Sequence, residues 1–257
     1  MSRIEDKIRA KLSALESEAG FRILFACESG SRAWGFASAD SDYDVRFVFA
    51  WTPDRYLAVS PYAETIDKGI DEDAIDLSGW ELRKALGLFR KSNGALCEWL
   101  RSPIIYREEA PLMDEWRRLL DEEFAPKANA IHYLGLCRKM WFRIREEETV
   151  TAKRYLYALR ALLSARFVIE RGRPAPVPFE ELRASLETPA DVAVAVARMI
   201  AEKSGGAEAD GIVRKTVVET YLESELERLN ELADTLPDRL ADGDRLDAFF
   251  RSAIGAT

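Results

Sequence analysis

Apolar residues in this chain change their spacing near residue 105, and no other feature limits its possible folds as much. Short apolar runs closed by turn residues read as strands, whereas apolar residues recurring every three or four positions read as helices. Before residue 105 both patterns occur. Ile4, Ile8, Leu12 and Leu15 predict a helix over 3–18, and the run 21–27 predicts a buried strand ended by the small-residue turn Glu28-Ser29-Gly30-Ser31. A second strand is expected over 42–50, where Val45, Phe47, Val48 and Phe49 dominate, and a short third one over 73–77. A helix over 80–91 follows, stopped by Ser92-Asn93-Gly94. Beyond Pro103 the spacing is helical, over 109–122, 126–148 and 151–171. After Pro174, Pro176 and Pro178 it resumes over 179–186, 189–204, 208–235 and 237–252. The expected organisation is an α/β part over 1–105 and an all-helical part over 106–257.

Composition narrows the chemistry. With 257 residues, 47% of them hydrophobic, the chain can bury one large core or two modest ones. It has no run of about 18 apolar residues, as a membrane span would need. The first thirty residues carry no apolar core of the signal-peptide kind, so a cytoplasmic location is expected. Cys27, Cys97 and Cys137 are scattered beside apolar residues and read as free buried thiols. His132 is the only histidine, which rules out a multi-histidine zinc site and leaves a Ser-His-Asp hydrolase only that one residue to build on. Chemistry here runs on carboxylates, hydroxyls and cations. The net charge of −8 argues against indiscriminate nucleic-acid binding, yet residues 138–173 hold ten Arg or Lys against four Glu. Such a basic island suits a specific anionic ligand, or simply a solvated helix face.

Three local features could carry chemistry. Gly30-Ser31 follows a strand, so it is either an ordinary turn or a place where backbone and hydroxyl approach phosphate oxygens. Asp42 and Asp44 are two apart at a strand start, which puts both carboxylates on one face with Tyr43 on the other. Paired carboxylates of this kind suit a magnesium ion shared with phosphate, although Asp-X-Asp is also common in turns. Asp76 lies between Ile75 and Leu77, a poor place for a charge unless it faces a polar site or water. There it could complete a metal site or take a proton from an attacking hydroxyl.

Taken together, Gly-Ser, the eleven-residue step to Ser41-Asp42-Tyr43-Asp44 and the later Ile75-Asp76-Leu77 resemble the signature of the DNA polymerase beta-like nucleotidyltransferase superfamily. The stretches 28–46, 76–84, Ser92-Asn93, Glu98-Trp99-Leu100 and Ser102-Pro103-Ile104 are similar to its RNA-repair-pathway polymerase beta-type subfamily, as is 153–160. The resemblance implies an α+β fold: a small mixed-sheet, palm-like nucleotidyltransferase domain followed by an all-helical domain. It implies transfer of a nucleoside monophosphate from a nucleoside triphosphate to a hydroxyl, releasing pyrophosphate. Gly30 and Ser31 would hold the triphosphate; Asp42, Asp44 and Asp76 would bind magnesium or manganese, and Asp76 would also help activate the acceptor. Lys153, Tyr157 and Arg160 share one helix face, so two cations and a ring could meet phosphates and a base. The acceptor leans toward an RNA end such as a tRNA 3′ terminus, with a small hydroxylated molecule or a protein side chain as alternatives. A reading from another class is a non-catalytic nucleotide sensor or interaction protein, which would be expected to lose an aspartate this chain retains. Arg32 and Arg46 flank the motif and could touch phosphate, although exposed arginines need no such role; Trp34, Trp80 and Trp99 read as packing residues, and Gly94 departs from the proline the subfamily favours after Asn93.

Overall fold

A computed structural model describes residues 3–204 and 214–256. In chain order its elements are α1 (Arg3–Ala19), β1 (Arg22–Glu28), α2 (Gly30–Ala33), β2 (Tyr43–Ala50), α3 (Pro53–Leu57), β3 (Thr65–Ile70), β4 (Ile75–Glu81), α4 (Leu82–Phe89), α5 (Gly94–Leu100), β5 (Ile105–Glu108) and α6 (Ala110–Glu123). There follow α7 (Pro126–Glu146), α8 (Ala152–Arg171), α9 (Phe179–Ala184), α10 (Ala190–Ser204), α11 (Thr216–Asp234) and α12 (Gly243–Ile254). Residues 208–213 of the helix expected over 208–235 lie outside the described residues. Among the described residues no helix is long and apolar enough to cross a membrane. All three cysteines are free and buried.

The chain divides into two compact units. The first holds residues 1–33, 42–124 and 240–257, built around a mixed five-stranded sheet of order β3-β4-β2-β1-β5. Strands β1 and β2 are antiparallel, whereas β2 and β4 run parallel with Asp44 opposite Asp76 and Arg46 opposite Ser78. Parallel neighbours need a crossover, here supplied by α3 and β3. One sheet face buries Val45, Phe47, Phe49, Ile75 and Leu77 against Ile8, Leu12 and Leu15 of α1. Burying each of these large side chains fully contributes about 1.5–3 kcal/mol. Strand period then forces Asp44, Arg46, Asp76 and Ser78 onto the other face, and all four are only partly buried. Gly79 stands opposite Phe47, whose ring lies 2.3 Å from where a Cβ would be. Any side chain there would displace a core aromatic.

Two strands were not expected from the sequence. β3 is an exposed edge strand and β5 is four residues long. The helix expected over 80–91 starts at Leu82, because the strand continues to Glu81 and the Glu81 side chain accepts from the Arg83 and Lys84 N–H groups. The helix expected over 237–252 likewise starts at Gly243, capped by Asp242. Asn93 caps α5, its Oδ1 accepting from Leu96 N–H at 3.1 Å, and Trp80 stacks on Trp99 at 4.0 Å.

The second unit holds residues 34–41 and 125–239. Its central helix is α8, which buries Tyr155, Leu156, Leu159, Leu162 and Phe167 and ends at Gly172 in the left-handed conformation. The contact division therefore differs from a single boundary at 105/106. Helix α6 and the C-terminal α12 belong with the sheet: Trp116 packs on Phe249 at 5.2 Å, Ala241 N–H donates to Arg90 O at 3.1 Å, and Arg245 pairs with Glu122 and Glu123. Conversely, 34–41 packs with the helices. Phe179 N–H donates to Trp34 O at 2.8 Å and Phe36 meets the Phe179 ring edge-on at 5.5 Å.

Candidate active site

The site in the sheet unit is built from the ends of β1, β2 and β4. After β1, Ser29 N–H donates to Asp44 O at 2.8 Å, which draws the following turn onto β2. Gly30 has φ +59°, and a Cβ there would lie 2.1 Å from Asp44 Oδ2. Only glycine allows this approach. Ser31 is buried beside it. On β4, the entry into Asp76 is fixed by Asp71, whose Oδ1 accepts from the Asp73 and Ile75 N–H groups at 2.9 and 3.0 Å. Lys11 of α1 binds Asp71 Oδ2 at 2.6 Å.

The parallel register makes Asp44 and Asp76 neighbours, and Arg46 spans them. Its Nη2 donates to Asp44 Oδ1 at 2.9 Å and to Asp76 Oδ2 at 2.7 Å, while Nη1 donates to Asp76 O at 3.0 Å and to Val45 O at 3.2 Å. A guanidinium thus occupies the place of a cation shared by two carboxylates. Asp42 stands just before β2, exposed, with its carbonyl accepting from Arg32 Nε at 3.1 Å and the Arg32 guanidinium 3.8 Å over the Tyr43 ring. It does not join Asp44 and Asp76 in a three-carboxylate group, and among the described residues no group of three His, Cys, Asp or Glu is arranged to hold a metal. The donor chemistry of the Asp44–Asp76 pair, already carrying a stand-in cation beside the cradle at Gly30, does fit a divalent ion.

Sequence reasoning missed Glu28. It is fully buried at the end of β1, where its Oε1 accepts from Asp44 N–H at 2.8 Å and its Oε2 from the Tyr106 hydroxyl. Burial pushes its carboxyl up to about 7, against the opposing pull of the Tyr106 and Asp44 hydrogen bonds, and the Asp44 charge adds to the rise. The signal was a charge closing a strand that is apolar and buried from Ile23 to Cys27. Arg46, expected from the sequence only as a candidate phosphate contact, shares strand parity with Asp44, and that parity already places it beside the carboxylates.

In the helical unit, Lys153 is exposed and Tyr157 partly buried. With Met140, Arg143, Thr151 and Arg154 they line a cleft of about 370 Å³. Arg154 pairs with Glu147. Arg160 is different: only 3% exposed, it donates to Val177 O at 3.2 Å and lies 4.2 Å over the Trp34 ring, which itself meets Tyr157 edge-on at 5.0 Å. The face expected to present Lys153, Tyr157 and Arg160 together thus divides between a cleft and a buried aromatic contact.

The sequence matches the RNA repair pathway DNA polymerase beta family over residues 4–252. It is 36% identical over 233 residues to the uncharacterized protein YcgL of Bacillus subtilis (strain 168), covering 91% of this chain and 89% of that one. Among solved structures, a nucleotidyltransferase-like protein from Exiguobacterium sibiricum 255-15 aligns over 90% of this chain and 75% of its own at 13% identity, with a TM-score of 0.32. A score that low leaves the assignment to the sequence match, which supports a nucleotidyltransferase-like function. By that match over nearly its whole length, the chain belongs to the RNA repair pathway DNA polymerase beta family.

Proposed function

We propose that this protein is a magnesium-dependent nucleotidyltransferase, with manganese as an alternative ion, that joins the α-phosphorus of a nucleoside triphosphate to a hydroxyl at an RNA end. The observation that carries the reading is the pairing of Asp44 with Asp76 on adjacent strands, beside a glycine that admits no side chain. In this reading Asp44 and Asp76 would hold the metal, which when bound neutralises phosphate charge and supports in-line displacement; Asp42, exposed just before β2 and outside that pair, is the further carboxylate within the motif that a bound ion could recruit. Gly30 and Ser31 hold the triphosphate. The acceptor oxygen forms its bond to the α-phosphorus, the bond to the bridging oxygen breaks, pyrophosphate leaves, and the hydroxyl proton passes to Asp76. Glu28 and Tyr106 keep the backbone of Asp44 in place throughout.

The RNA acceptor is favoured by the family description and by the basic excess over 138–173. In the helical unit, a cleft edged by Lys153, Arg143 and the Tyr157 ring has the chemistry to take a phosphate and a base. Arg160 enters the reading through the Trp34 ring it covers. The test is incubation with each α-labelled nucleoside triphosphate, magnesium, and separate cellular pools of RNA, protein and small molecules. Label should enter RNA and be lost with Asp44→Asn or Asp76→Asn. Label in protein or small molecules alone reassigns the acceptor. Label in no pool, or transfer that survives both substitutions, overturns the enzymatic reading.

A further inference from the structure

Arg46 is the residue whose contacts exceed what packing on a strand requires. It projects from the same face of β2 as Asp44, and its side chain is only 18% exposed. One nitrogen, Nη2, is shared between Asp44 Oδ1 and Asp76 Oδ2, while Nη1 is tied to the carbonyls of Asp76 and Val45. The two ends of the guanidinium therefore do different work. The Nη1 end is anchored to backbone that belongs to the sheet and does not move with the carboxylates. The Nη2 end holds the two side chains that, on the reading proposed above, must open to a metal ion.

We propose that Arg46 is the resident counter-cation of the Asp44–Asp76 pair, and that a divalent ion loads there by displacing its Nη2. The inference rests on the metal-dependent reading and adds that the arginine sets the affinity of the site. Two neighbouring carboxylates without a cation repel, so the guanidinium keeps the metal-free pair folded and in register. The same contacts must be given up when the ion enters, so they count against its binding. A brace that merely presets the carboxylate rotamers would have the opposite effect, because its loss would loosen metal binding. The sign of the change in affinity separates the two roles.

The experiment titrates Mn²⁺ into the full chain and follows free ion by electron paramagnetic resonance, in wild type, Arg46→Gln, Arg46→Lys and Asp76→Asn. Thermal unfolding is recorded in chelator and in excess Mn²⁺. Hydrogen bonds between charged groups are the strong ones, so Arg46→Gln is expected to bind Mn²⁺ about tenfold more tightly. It should also melt lower than wild type in chelator and recover most of the difference in Mn²⁺. Arg46→Lys retains a charge but reaches one carboxylate at a time, so it should bind Mn²⁺ only a few-fold more tightly. That variant carries the test if the glutamine form does not fold. Equal or weaker binding by the arginine variants, with Asp76→Asn abolishing it, overturns the displacement role and leaves the metal reading standing. Absence of Mn²⁺ binding in every form, wild type included, overturns both.

Discussion

Replacing Gly30 by alanine tests how tightly the turn after β1 is fitted to the carboxylate pair. Two costs follow from the structure. At φ +59° a residue with a Cβ is in the left-handed region, at a cost of about 1–2 kcal/mol. The new Cβ would also stand 2.1 Å from Asp44 Oδ2 and 2.9 Å from its Cγ. Ordinary contact requires the carboxylate to withdraw by on the order of 1 Å, which weakens the hydrogen bond to Arg46 by about 1 kcal/mol. Gly30→Ala should therefore lose about 2–3 kcal/mol in urea unfolding with an unchanged m-value. A displacement of about 1 Å in a reacting group lowers turnover by about a hundredfold, and labelled-nucleotide transfer should fall accordingly. Gly35→Ala is the control: φ there is +83° but nothing lies within 4 Å of the added Cβ. It should show only the backbone cost, with transfer close to wild type. If the two alanine variants lose the same stability and the same activity, the close approach of Gly30 to Asp44 does not matter and the reasoning fails.

Glu28 predicts a pH dependence of metal-free stability. Its folded carboxyl, pushed up to about 7, sits above an unfolded value near 4.5, so the folded state holds the extra proton between them and stability falls as pH rises through that window. Glu28→Gln should remove that slope, on the order of 1–3 kcal/mol between pH 4.5 and 7.5, as read by urea unfolding in chelator; an unchanged slope assigns the dependence elsewhere. Lys153→Ala should raise the nucleotide KM by about three- to tenfold with kcat little changed, the loss of one exposed charged contact; an unaltered KM removes Lys153 from the nucleotide site. Arg160→Met should lower stability by about 1–3 kcal/mol, through the lost bond to Val177 and the lost contact with Trp34. A raised KM with unchanged stability would instead make Arg160 a phosphate ligand.

What the sequence revealed and what it hid have the same physical origin. Period-2 alternation in β4 and at the start of β2 places Asp44, Arg46 and Asp76 on the face opposite Val45, Phe47, Ile75 and Leu77, and that alternation is visible in the residues themselves. β3 carries no such signal because an exposed edge strand has little to bury, and Asp67-Lys68-Gly69 reads as a turn. The boundary between units was hidden for another reason. Helical spacing says that α6 and α12 have an apolar stripe but not what it packs against, and Trp116 meets Phe249 across more than a hundred residues. Likewise nothing local announces that Trp34 and Phe36, inside the stretch linking Gly30-Ser31 to Asp42, pack on Tyr157 and Phe179. Glu28 shows the limit most clearly: its charge could be read from the strand, but its two donors, on Asp44 and Tyr106, are brought to it only by the pairing of β2 and β5 with β1.

On the proposed function, electrostatics also bears on the form in which nucleotide would reach this site. Carboxylates on adjacent strands about 5 Å apart repel by about 3 kcal/mol at an effective dielectric of about 20. Arg46, in contact with both, returns about 4 kcal/mol of attraction to each before desolvation is counted. Arg46 thus more than offsets the repulsion within the pair, and the three side chains together carry a net charge of one minus. Arg46 holds Asp44 Oδ1, whereas Oδ2 faces the turn at Gly30. A bare triphosphate approaching Gly30 and Ser31 would meet a carboxylate oxygen at the point of closest contact. A triphosphate already carrying a divalent ion would present a cation to that same oxygen. On the proposed function, the geometry at Gly30 would favour entry of the metal–nucleotide complex over free nucleotide. Nucleotide binding measured in chelator should accordingly be weaker in wild type than in Asp44→Asn, in which that repulsion is gone.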